Sequence, residues 1–211
     1  TIDGSDPRLP ETGVVAPDAL VYDAPIVIGA TAHVKARVLV GDTWSALHRA
    51  TFRVREYEDY PRINEVMYNP PGGDDYEYIE LKNPTDVALD LSGMSFVGIT
   101  FSFPTGTMLP PGETIVLARD PAAFSDRYPD VTVGGTYRGK LSNKGEVISL
   151  KDVRGNTLIS VPYDDEDGWP VSPDGRGDSL IFVTHDDGDP QNPKNWRASE
   201  NYGGSPGSDS N

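Results

Sequence analysis

Four stretches of this 211-residue chain place reactive residue types at spacings that chemistry can use. "GGSPG", Gly203 to Gly207, has the G-x-S-x-G spacing of a hydrolase nucleophile elbow, with Ser205 at its centre. An elbow needs a strand before it, a helix after it and a histidine to accept the serine proton. Here the motif sits in a tail of small polar residues with no histidine downstream, so it reads as coincidence. "RGDS", Arg176 to Ser179, spells an adhesive tetrapeptide, yet it runs straight into the apolar "LIFV". It reads as a turn shaped by Gly175 and Gly177 that leads into a strand.

The other two stretches are acidic loops. "YDDEDGW" groups Asp164, Asp165, Glu166 and Asp167, and "HDDGDPQN" sets Asp186, Asp187 and Asp189 about Gly188. Both offer the hard oxygen ligands that calcium takes, and neither has full EF-hand spacing. Alternate carboxylates around a glycine converge more easily, so Asp186, Asp187 and Asp189 are the candidate calcium ligands. The competing reading is a solvated turn, where Asp hydrogen-bonds its own backbone. Calcium is the one cofactor the sequence raises.

Other chemistry finds little footing. His33, His48 and His185 lie too far apart for a local metal signature and read as strand-surface residues. The absence of cysteine removes a thiol nucleophile, a disulfide framework and thiolate zinc sites. A glycosidase needs two carboxylates facing each other across a cleft, and the acidic residues cluster in turns. No catalytic residue is assigned, and the expectation is that the protein is not an enzyme. The net charge of -15 repels phosphate backbones, which argues against nucleic acid as a partner. No apolar run has transmembrane length, and the chain opens at Thr1 without a basic and apolar leader. It reads as a soluble segment of something longer.

The elements that must position these residues are strands. With 22 Gly and 19 Pro, the chain is punctuated too often for long helices. Residues 20 to 54 carry short alternating runs, "PIVIGA", "HVKARVLV" and "RATFRV", the period of a half-buried strand. "REYEDYP" lacks periodicity and ends in proline, which sets a linker at 55–61. From Arg62 onward, "RINEVMY", "YEYIELKN", "VALDL", "MSFVGI", "ETIVLAR", "EVISLKD", "NTLISVPY" and "DSLIFV" follow one another, each bounded by turn residues. Such a series predicts a β-sandwich or barrel. "DPAAFSDRY" predicts one short helix, with Asp120 as N-cap and Pro121 at the first position. The organisation is therefore a partial β module over 1–54, a linker over 55–61, a β domain over 62–204 and a flexible tail over 205–211. Trp44, Trp169, Trp196, Tyr57, Tyr60, Tyr68, Tyr76 and Tyr78 either form a sugar-stacking surface or fill the core and the domain junction. Core and junction are the favoured reading.

Two family resemblances rest on these phrases. "TIDGSDPR", "PIVI", "TAHVKARV" and "WSALHRATFRV" resemble the last part of the immunoglobulin-like C-terminal domain of chitobiase and β-hexosaminidase. "INEVMYNP", "DYEYIELKNPTDVALDLSGM", "FSFPTGTMLPPGETIVLARDPAAF", "GKLSNKGEVISLKDVRGN", "WPVSPDGRGDSL", "NWRAS" and "GSPG" resemble a bacterial lamin tail domain across Ile63 to Gly207. Met94 stands where many members carry Trp. The resemblance implies an all-β, immunoglobulin-like sandwich on a large exported bacterial protein, extracellular or at the cell surface. It implies no catalytic residues. The expected role is a non-catalytic accessory segment that positions or tethers neighbouring domains, with those domains, a cell-surface protein or a polysaccharide as partners. The alternative is a carbohydrate-binding module attached to a hydrolase.

Overall fold

A computed structural model describes residues 1–29, 31–52, 60–183 and 188–208. The chain divides into two compact units, Thr1–Asp59 and Tyr60–Asn211.

In the first unit, strand β1 (Ala32–Ala36) pairs antiparallel with β4 (His48–Phe52), and β2 (Leu39–Val40) forms a tight hairpin with β3 (Thr43–Trp44). Thr1 lies along β1: its ammonium donates to Lys35 O at 3.0 Å, and Lys35 N donates to Thr1 O at 3.2 Å. The Arg37 guanidinium grips Asp6 with two bonds of 2.9 and 2.8 Å, which holds that carboxyl well below the usual carboxylate range. The Trp44 indole donates to Gly13 O at 2.7 Å. His33 sits on the strand surface, 3.0 Å from Thr51 Oγ1 across the β1–β4 pair. Polar contacts dominate here: Val21, Val27, Val40 and Phe52 are all exposed, and Pro7 and Ala32 are the buried apolar residues of this unit's described part.

The second unit is a sandwich. Its strands in chain order are β5 (Arg62–Met67), β6 (Tyr78–Lys82), β7 (Leu89–Asp90), β8 (Ser95–Val97), β9 (Met108–Leu109), β10 (Thr114–Ala118), β11 (Val133–Thr136), β12 (Glu146–Lys151), β13 (Thr157–Tyr163), β14 (Leu180–Phe182) and β15 (Trp196–Ala198). Among the described residues, one sheet runs β11-β10-β6-β5-β14-β15 and the other β13-β12-β8, with β7 and β9 forming a separate pair. β13 shows why the sequence folds this way. Ile159, Val161 and Tyr163 point into the core while Leu158, Ser160 and Pro162 alternate outward at half burial. Its edge position also tolerates Pro162, which has no N–H for a further strand.

The core between the sheets takes Ile63, Val66, Tyr68, Ile79, Leu81, Leu117, Ile148, Leu150 and Val161, among others. Met94 is buried with them, filling its place in the core. Trp169 and Trp196 lie 5.9 Å apart at the margin of the same cluster, both nearly buried. The favoured reading of these aromatics holds for Tyr68, Tyr78, Trp169 and Trp196; Tyr57 lies outside the described residues.

The outer face of the larger sheet is also covered. β10 and β11 run parallel, so a crossover must join them, and helix α1 (Pro121–Arg127) supplies it. The Asp120 side chain caps α1 by accepting from Ala122 N at 2.9 Å and Ala123 N at 3.1 Å, with Pro121 at the first helical position, as the sequence predicts. Phe124 of α1 drops onto the sheet and meets Tyr78 edge-on at 5.6 Å, beside Met67, Val116 and Ala118.

Candidate functional site: two glutamates beneath the C-terminal strap

A β-bulge in β5 between Ile63 and Glu65 resets the pairing so that Glu65 stands directly opposite Glu80 of β6. Bulges re-aim side chains in this way. Cross-strand partners project from the same face, so the two carboxylates lie side by side on the outer face, flanked by Ile181 of β14 and Val116 of β10. Both glutamates are fully buried.

Adjacent buried carboxylates repel unless donors surround them. Glu65 Oε1 accepts from the Tyr78 hydroxyl at 2.6 Å, from the Ser179 hydroxyl and from Ser205 N at 2.8 Å. Glu80 accepts from Asn64 Nδ2 at 2.9 Å and from Gly207 N at 2.6 Å. Burial nevertheless dominates for Glu80 and pushes its carboxyl up to about 7, while the Gly207 amide and Asn64 pull the other way. Tyr78 is pushed well above the usual phenol range by burial and by the neighbouring Glu65. A third buried acid, Glu77, is also raised to about 7 by burial. Its Oε2 accepts from Leu141 N at 2.9 Å and Tyr137 Oη at 3.1 Å, while Oε1 is buried without a hydrogen-bond partner among the described residues.

The backbone donors on Glu65 and Glu80 come from the segment expected to be a loose tail. That expectation fails for Ser205 to Ser208: Pro206 is buried, and the amides of Ser205 and Gly207 are fixed on the two carboxylates. The segment has little apolar surface to bury, as the composition shows, but its N–H groups are what the sheet face needs. Ser205 Oγ faces the carboxylate of Glu65 at 3.4 Å, so the G-x-S-x-G spacing here builds a strap whose backbone amides meet the sheet.

The RGDS turn is part of the same assembly. Gly177 has φ 105°, and a Cβ there would collide with the Tyr202 ring. Gly177 O accepts from Gly203 N, Ser179 is fully buried, and Ser179 N donates to Ser199 Oγ at 3.0 Å. A sequence buried and bonded at its serine is a turn into β14.

Of the candidate calcium ligands, Asp186 and Asp187 lie outside the described residues. Asp189 Oδ1 accepts from Gln191 N at 2.9 Å, closing a turn. In the other acidic loop, Asp164 Oδ1 accepts from the amides of Asp165 and Glu166. Among the described residues, no three His, Cys, Asp or Glu side chains converge on a point that would hold a metal. No described helix is long and apolar enough to cross a membrane.

Sequence reasoning missed Glu65, Glu77 and Glu80. In "RINEVMY" and "YEYIELKN" Glu65 and Glu80 occupy outward strand positions, which in an isolated sheet face water, while Glu77 ends the turn before β6 and meets Tyr137 and Leu141. The one local sign is that Glu65 and Glu80 both sit within otherwise apolar runs.

The fold and this site together define an immunoglobulin-like β-sandwich whose most unusual acidic residues hold the structure closed. The family model "Lamin Tail Domain" matches residues 58–165, and the chain belongs to that family. Strands β14 and β15 lie beyond the matched residues but complete the same six-stranded sheet. No curated protein matches the chain. A solved structure of a DUF4876 family protein from Bacteroides thetaiotaomicron VPI-5482 is similar, at 10% identity over 82% of this chain and 77% of that one, with a TM-score of 0.45.

Proposed function

We propose that the protein is a non-catalytic accessory segment of a larger exported bacterial protein, extracellular or at the cell surface, which positions or tethers neighbouring domains. The observation that carries this reading is the state of Glu65 and Glu80. They are the one cross-strand pair of buried carboxylates described, and their own chain saturates and seals them with hydroxyl and amide donors. A general acid or base must reach a substrate proton, and these cannot. The exposed apolar side chains of the first unit support a contact surface for other domains, and its phrases fit the end of a chitobiase-type C-terminal module. The carbohydrate-binding alternative loses its aromatic strip to the core and keeps a narrower footing, the exposed Tyr202 beside Arg127.

The test is an assay of the purified chain on glycoside, ester and phosphodiester substrates. No turnover above buffer is expected. Turnover that disappears in Ser205→Ala or Glu80→Gln overturns the reading.

A further inference from the structure

Beside the strap, on the surface, lies a recess of about 480 Å³ lined by Pro71, Gly72, Arg127, Tyr128, Tyr202 and Gly203. Its cation is held in place. The Arg127 guanidinium lies 3.5 Å from the Tyr76 ring centroid, and its Nη2 donates to Pro71 O at 2.7 Å. Gly72 makes that stack possible: a Cβ there would stand 3.0 Å from Tyr76 Cε2 and 3.1 Å from Arg127 Nη2. Tyr128 donates its hydroxyl proton to Gly203 O, which ties α1 to the strap and fixes the back wall.

Among the described residues Arg127 has no carboxylate within 4 Å, in a chain of net charge -15, so its charge is not neutralised by its own fold. A guanidinium has more N–H donors than Pro71 O can take, and it matches a carboxylate with two parallel bonds. At the rim, Tyr202 is 74% exposed. One side of its ring is seated on Gly177, so the ring is presented to solvent as a fixed platform.

The geometry points to a binding site for a neutral glycan that carries one acidic sugar, its carboxylate on Arg127 and a sugar ring against Tyr202. The recess has the volume of a small-molecule site, and a fixed cation next to an exposed aromatic face is the pairing such a sugar requires. The net charge selects within that class. A chain of uronic acids meets long-range repulsion from the whole protein, whereas a single carboxylate can be met by one guanidinium. The site stands independently of any tethering role, because it needs only the second unit's surface.

Calorimetric titration of the full chain with a xylo-oligosaccharide bearing one glucuronic acid tests the assignment. Saturable binding is expected, weakened by added salt, with the unsubstituted oligosaccharide and free glucuronate each at least about tenfold weaker. Arg127→Gln and Tyr202→Ala should each lose about tenfold or more, Arg127→Gln by removing a charge-assisted pair. Tyr202→Ala exchanges a rim residue, so it keeps the test open if Arg127→Gln does not fold. No binding, equal binding of the neutral oligosaccharide, equal binding of a short peptide with a single Glu, or affinity unchanged in Tyr202→Ala overturns the assignment.

Discussion

Glu80→Gln is the most direct probe of the buried carboxylates, through the pH dependence of stability. Burial raises the Glu80 carboxyl from 4.5 to about 7, and Glu77 likewise. A carboxyl raised by folding contributes stability that is fully present below about 4.5 and is lost as pH rises through about 7. At about 1.4 kcal/mol per pKa unit, each group costs up to ~3 kcal/mol at pH 8 relative to pH 4.5. For a unit of this size that is a fall of roughly 10 °C in Tm per group. The native protein should therefore melt higher at pH 5 than at pH 8. Glu80→Gln should remove about half of that difference while leaving the Glu77 contribution. Absolute stability is a poorer readout, because a carboxamide places an N–H where Glu80 accepts from Asn64 or Gly207. The neutral acid meets the same mismatch, so the slope isolates the charge. Thermal unfolding by calorimetry across pH 5 to 8, for parent and variant, measures it. A Tm that is flat or rises toward pH 8, or an unchanged slope in Glu80→Gln, refutes the reasoning.

Ser179→Ala removes a buried donor from Glu65 and should cost about 1–3 kcal/mol, seen as a lower denaturant midpoint with unchanged m; a midpoint within error of the parent contradicts a stabilising role for that hydroxyl. Expressed alone, residues 60–208 should unfold cooperatively and melt higher than residues 60–202, which lack the Ser205 and Gly207 donors, whereas equal melting would make the strap incidental. Asp120→Ala should cost about 1 kcal/mol by freeing the amides of Ala122 and Ala123, with chemical denaturation as the readout. Calcium titrated into chelator-treated protein should give no saturable heat, since Asp189 already closes its own turn; heat that saturates and vanishes in Asp187→Asn and Asp189→Asn would establish a site.

The all-β class was legible because each strand carries its own local record. Alternation in "NTLISVPY" is the alternation of β13, and Asp120 followed by Pro121 is a cap that acts within three residues. The carboxylate site was not legible because its cause is remote. Whether Glu65 faces water depends on Ser179 and Ser205, 114 and 140 residues away, and on a bulge that shifts its partner. Period-2 patterning assigns a face to a residue but not what lies over that face. The strap was misread for a related reason: composition measures side chains, and "GSPG" binds through its backbone.

The strap also fixes where the second unit can be joined to other chains. It crosses β5, the strand with which the unit opens, at Glu65 and reaches Glu80 of the neighbouring β6, and Glu65 is three residues from Arg62, about 10 Å along an extended backbone. A unit whose two ends meet on one side can be spliced into a surface loop of a host with little strain on either junction, much as a bead is set into a ring. Insertion of this sandwich within a loop is therefore compatible with a strap that stays closed over Glu65 and Glu80.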